Sequence, residues 1–162
     1  MFSTDLLARA DHLLATARAG GVRIATAESC TGGLIAALLT EIAGASDVFG
    51  RGFVTYSNKA KQDMLGVPAA TLRQYGAVSE AVARVMAEGA IRNSTAELSV
   101  AVTGIAGPAG GTDEKPVGLV HIAVARAGEA TLHRECRFGD IGRGEIRLAS
   151  VEVALEMLQQ LL

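Results

Sequence analysis

The chain has 162 residues, 49% hydrophobic and 20% charged, with a net charge of −2 and a pI near 5.9. That balance predicts one domain over residues 1–162 with a sizeable core, and it excludes disorder. Few aromatics (4%), no basic run and no long uncharged apolar stretch argue against nucleic-acid and membrane partners.

Ser3, Thr4 and Asp5 offer an N-cap to a helix whose apolar face is Leu6, Leu7, Ala10, Leu13, Leu14 and Ala17, stopped at Gly20-Gly21. Residues 22–27 read as a short strand and residues 32–42 as a second helix, with Gly44 as its stop. The β-branched and aromatic run 52–57 predicts a strand. A short helix over 58–65 and another over 68–75, closed by Gly76, follow. Ser79 caps a helix to about residue 92 with Val82, Val85, Met86 and Ala90 on one face. Residues 98–103 form a buried strand, then comes a Gly- and Pro-rich loop. Strands over 117–125 and 130–138 are joined by a turn at residues 127–129, and a last helix runs from about 144 to 161. Alternating strands and helices predict a three-layer α/β/α sandwich. The last two strands are joined too tightly for a parallel crossover, so the roughly five-stranded sheet is mixed.

Cys30 and Cys136 are too few and too far apart for a disulfide framework. His12, His121 and His133 lack metal-ligand spacing, and no metal or cofactor is expected. The N-terminus lacks a basic leader and cleavage site, which predicts a cytoplasmic protein.

Three segments carry chemistry. TAESCTGGL (26–34) lies at a strand-to-helix junction, where free amides and the helix dipole favour an anion. Ser29 there is a candidate nucleophile, with the amides of Cys30, Thr31 and Gly32 as oxyanion donors and Gly33 allowing close approach; alternatively, Ser29 or Thr31 simply caps the helix. TYSNKAK (55–61) is a second junction, carrying Tyr56, Lys59 and Lys61. With Lys115 these are all the lysines of the chain, against twelve arginines. A lysine can lose its proton when desolvated, whereas an arginine keeps it. Lys59 and Lys61 point opposite ways on a helix, so only one can face a cleft. The loop TGIAGPAGGTDEKPVG (103–118) follows a buried strand. Thr103, Gly104, Gly107, Gly110 and Gly111 can present amides to a phosphate or carboxylate, with Lys115 adding charge, or the segment is a plain surface loop. It lacks the G-K-[ST] of a P-loop. Arg147, on a helix fixed in the core by Ile146, Leu148 and Val151, is a better anion clamp than Arg143.

TAESCTGG (26–33), GFVTYSNKAK (52–61), GAVSE (76–80), the 103–118 loop and F-G-D (138–140) together resemble the CinA C-terminal domain family, the PncC-type nicotinamide-nucleotide amidohydrolases, across nearly the whole chain. The resemblance implies a mixed five-stranded α/β/α fold. It implies hydrolysis of the carboxamide of nicotinamide mononucleotide, with Ser29 as nucleophile, Lys61 as base and Tyr56 as a supporting hydroxyl. The chain resembles the stand-alone form, and a homodimer is expected. The rivals are a non-catalytic nucleotide-binding or interaction module, a Cys30-dependent amidase, or an amidase for a related amide. One departure stands out: members usually carry G-D-R, whereas Gly139-Asp140 is followed here by Ile141-Gly142-Arg143, which shifts the basic residue.

Overall fold

The computed structural model describes residues 2–162. In chain order the elements are α1 (Thr4–Ala19), β1 (Ile24–Glu28), α2 (Leu34–Thr40), β2 (Phe49–Val54), α3 (Asn58–Leu65), α4 (Ala69–Tyr75), α5 (Glu80–Arg92), β3 (Leu98–Gly104), β4 (Leu119–Arg126), β5 (Leu132–Arg137) and α6 (Arg143–Gln160), with one 3-10 turn at Ala45–Asp47. The strands form one mixed sheet in the order β2-β1-β3-β4-β5. β1 pairs in parallel with β2 and β3, while β4 runs antiparallel to β3 and to β5.

The two faces of the sheet differ in side-chain size. Ile24, Val100, Val102, Ile122 and Val124 face α1, α2 and α6, meeting Leu13, Leu14, Leu38, Leu39, Val151 and Leu155. Ala25, Ala27, Ala101, Ala123 and Ala125 face the other way, beneath α3, α4 and α5. Alanines let α5 lie close to the sheet, and Ser99 Oγ on that face donates to the Ala87 carbonyl at 2.7 Å. α3 in turn lies close to α5: a Cβ on Gly89 would collide with the Leu65 carbonyl. This contact presses the Lys61–Leu65 face of α3 inward.

The predicted three-layer architecture is the observed one, and local signals placed most elements well. Ser3, Ser57 and Ser79 each cap a helix, accepting from Leu6, Ala60 and Val82 amides. Two predictions need correction. The strand expected over 52–57 is β2, Phe49–Val54. β propensity reads on through Tyr56, but the ladder stops where β1 stops, at the Glu28–Val54 pair. The helix expected from residue 32 begins at Leu34, because Gly32 (φ 58°) and Gly33 (φ 97°) are left-handed and cannot belong to it. Among the described residues, no helix is long and apolar enough to cross a membrane.

Candidate active site

β2 and β3 flank β1 on opposite sides, so the chain reverses its winding direction beside β1. In open α/β sheets the crevice at the carboxyl ends of strands next to such a point is where ligands bind. A cleft of about 300 Å³ occupies this position. It is lined by Ser29 and Cys30 after β1, Tyr56 and Asn58 after β2, Lys61 of α3, Ala77 and Val78, the segment from Thr103 to Gly107, Ala109, Gly110, and Arg143 at the start of α6.

Strand alternation sorts the residues at the end of β1. Glu28 is fully buried and points toward α2, where its carboxylate accepts the amides of Gly33 (3.1 Å), Ile35 (3.1 Å) and Ala36 (2.9 Å). It thus satisfies the orphan donors of the α2 N-terminus. Ser29, one residue on, turns to the opposite face, toward α3. Its amide donates to the Val102 carbonyl at 2.9 Å, which locks the corner to β3.

On α3, Lys59 and Lys61 diverge. Lys59 is exposed and pairs with Asp63 at 2.8 Å. Lys61 is only 1% exposed, and its Nζ hydrogen-bonds Ser29 Oγ at 2.9 Å and the Thr55 carbonyl at 2.7 Å. Among the described residues no carboxylate pairs with it. Burial therefore pushes the Lys61 ammonium below its ordinary value of 10.5, opposed only by the charge a Cys30 thiolate would carry. That opposition is absent at neutral pH, because burial pushes the Cys30 thiol up to about 11 and keeps it protonated. A serine hydroxyl against a desolvated lysine can undergo proton transfer and act as a nucleophile.

The remaining candidates divide. The amides of Cys30 and Thr31 have no acceptor among the described residues, whereas those of Gly32 and Gly33 bond to the Ser29 carbonyl and to Glu28. The candidate oxyanion donors thus narrow to residues 30 and 31, of which Cys30 lines the cleft. Thr103 lines it too, with Oγ1 donating to the Ala77 carbonyl at 2.8 Å. Gly104, Gly107 and Gly110 line the cleft, but Gly111 does not: a Cβ there would meet the Val117 amide at 2.8 Å. Lys115 lies off the cleft, donating to the Tyr75 carbonyl at 2.6 Å. Arg147 is spent on backbone, Nε to the Cys30 carbonyl (3.1 Å) and a terminal nitrogen to the Thr31 carbonyl (2.9 Å). It braces the 30–31 turn, and the arginine that reaches the cleft is Arg143. Tyr56 is 62% exposed at the rim, where its hydroxyl accepts from Arg143 at 2.9 Å and not from Lys61.

Sequence reasoning missed the placement of Arg143 and the capping role of Glu28. Glu28 did carry a signal, an acidic residue just before a glycine pair and an apolar helix. His121 and His133 stack outside the cleft with ring centroids 5.2 Å apart, and no cluster that could hold a metal occurs among the described residues. Cys30 and Cys136 are free.

The Glu28 cap is open to test. Glu28→Gln replaces one acceptor oxygen with a donor facing an amide, so at least one of the three hydrogen bonds is lost. Stability by denaturant titration is expected to fall by about 1–3 kcal/mol.

Comparison with known proteins agrees with this fold. The chain is 47% identical over 161 residues to the nicotinamide-nucleotide amidohydrolase PncC of Escherichia coli K12, covering 99% of this chain and 96% of that protein. It is 52% identical over 150 residues to a CinA-like protein of Anaeromyxobacter dehalogenans, covering 92% of this chain but 36% of that longer relative. The crystal structure of the competence/damage inducible protein CihA from Agrobacterium tumefaciens superposes with a TM-score of 0.97 at 56% identity, over 99% of this chain and 98% of that one. The model of the CinA C-terminal domain matches residues 7–162, and the chain belongs to that family.

Proposed function

We propose that this protein hydrolyses the carboxamide of nicotinamide mononucleotide to nicotinate mononucleotide and ammonia. The observation that carries the reading is the 2.9 Å contact between Ser29 Oγ and a buried, uncompensated Lys61 Nζ in the cleft. The name of the near-full-length Escherichia coli relative supports the substrate.

On this reading neutral Lys61 takes the Ser29 proton as Oγ attacks the amide carbon. The Cys30 amide, with no other acceptor, stabilises the oxyanion. Collapse breaks the C–N bond, and the Lys61 ammonium gives its proton to the departing nitrogen, which leaves as ammonia. Lys61, neutral again, activates a water that attacks the acyl ester and frees the acid and Ser29. The Thr55 carbonyl holds Nζ in line throughout. These residues supply nucleophile, base and acid without a cofactor, and a free nucleotide substrate fits a cytoplasmic enzyme.

The test is ammonia release from nicotinamide mononucleotide by the purified protein. Ammonia and nicotinate mononucleotide are expected in equal amounts. Tight nucleotide binding without ammonia would overturn the reading in favour of a binding module.

A further inference from the structure

The catalytic reading accounts for the floor of the cleft and leaves its rim unexplained. Among the described residues two cationic side chains line the cleft, Lys61 and Arg143, and no carboxylate does. Lys61 lies on the floor, bonded to Ser29 and Thr55, and must be neutral to act as a base. Lys115 and Arg147 donate to backbone carbonyls and do not line the cleft. The fixed positive charge of the cleft is therefore Arg143, whose guanidinium stays protonated.

Its geometry suits an anion. One terminal nitrogen donates to the Gly107 carbonyl at 2.8 Å and the other to the Tyr56 hydroxyl at 2.9 Å. These bonds pin the plane of the guanidinium between the glycine loop and the rim tyrosine. Nε–H and one N–H on each terminal nitrogen are left for a ligand. Beside it, the cleft-lining residues Ala106, Gly107, Ala109 and Gly110 carry amides that have no acceptor among the described residues. A guanidinium fork next to a run of free amides is a phosphate-binding arrangement.

We infer that Arg143, held between Gly107 and Tyr56 at the rim of the Ser29 cleft, recognises the substrate's phosphate and sets the preference for a nucleotide over its nucleoside. This rests on the amidase reading for the amide end, but it assigns a separate subsite to the other end.

The test compares wild type, Arg143→Ala and Arg143→Lys on nicotinamide mononucleotide and on nicotinamide riboside, which lacks the phosphate. The ratio of kcat/KM values, nucleotide over riboside, is expected to fall about 10- to 100-fold in Arg143→Ala, mostly through KM for the nucleotide. Arg143→Lys should recover part of it, since a point charge replaces the planar fork. An unchanged ratio, with both substrates slowed alike, would mean that Arg143 only positions the loop and would overturn the inference. Calorimetric binding of ribose 5-phosphate and of ribose to wild type and Arg143→Ala separates the two readings without turnover. Phosphate binding lost in the variant upholds the rim subsite even if no ammonia is released and the amidase reading falls. Equal binding to both proteins, or no preference of wild type for the phosphate, overturns the subsite whatever the turnover.

Discussion

Ser29→Ala is expected to lower kcat for carboxamide hydrolysis by about 10⁴-fold or more, the scale seen when a nucleophile is removed from a serine hydrolase. Cys30→Ala is expected to stay within about tenfold of wild type. The contrast follows from the environments of two adjacent residues. The Ser29 hydroxyl touches the Lys61 amine at 2.9 Å, whereas the Cys30 thiol is held protonated by burial, near 11. On the proposed mechanism Cys30 acts through its backbone amide, which alanine keeps. The two variants should be compared at matched substrate saturation, with melting curves to show that both fold. Turnover that survives in Ser29→Ala and vanishes in Cys30→Ala would replace the hydroxyl mechanism by a thiol one.

Lys61 carries the second large effect. Lys61→Met removes the base, and Lys61→Arg replaces it with a group that does not give up its proton. Both are expected to lose about 10³-fold or more in kcat. In the wild type, kcat/KM is expected to fall as pH drops through the lowered pKa of Lys61, because protonation removes the base. The same shift leaves a mark on stability. Between the lowered folded value and the ordinary 10.5, the unfolded chain binds a proton that the folded chain does not. Stability therefore rises with pH in that window, with a slope of at most about 1.4 kcal/mol per pH unit. Below the folded value both states are protonated and this contribution to the slope vanishes. Denaturant titrations of wild type and Lys61→Met across the window isolate Lys61 as the difference of slopes. Identical slopes would show an amine with an ordinary pKa, and the base assignment would fail.

The two effects point to different parts of the chain. Local pattern offered Ser29 at one strand-to-helix junction and left Lys59 and Lys61 as alternatives at the other, where Ser57 starts α3 so that the two diverge; the family resemblance pointed to Lys61. The same local grammar placed α3 at Asn58–Leu65 and α5 at Glu80–Arg92. It failed at β2, where propensity continued through Tyr56 but the partner strand ended. It failed again at the arginines. Arg147, four residues into a core helix, looked like the anion clamp, yet its reach ends on the carbonyls of residues 30 and 31. Arg143 looked displaced from the family pattern, yet Gly142, at φ 98°, precedes it at a turn and its side chain arrives at Gly107 and Tyr56.

Hydrophobic period, serine caps and glycine stops are short-range properties, and from them the sequence alone determined the α/β/α layers, the mixed sheet and the two junctions that bear Ser29 and Lys61. Only the tertiary structure decided which lysine is stripped of water, which amides remain free and which arginine faces the opening. Those outcomes depend on solvent exclusion and on backbone acceptors contributed by distant segments. The packing of Gly89 against Leu65, which turns Lys61 inward, joins residues 24 positions apart, and no local pattern encodes it.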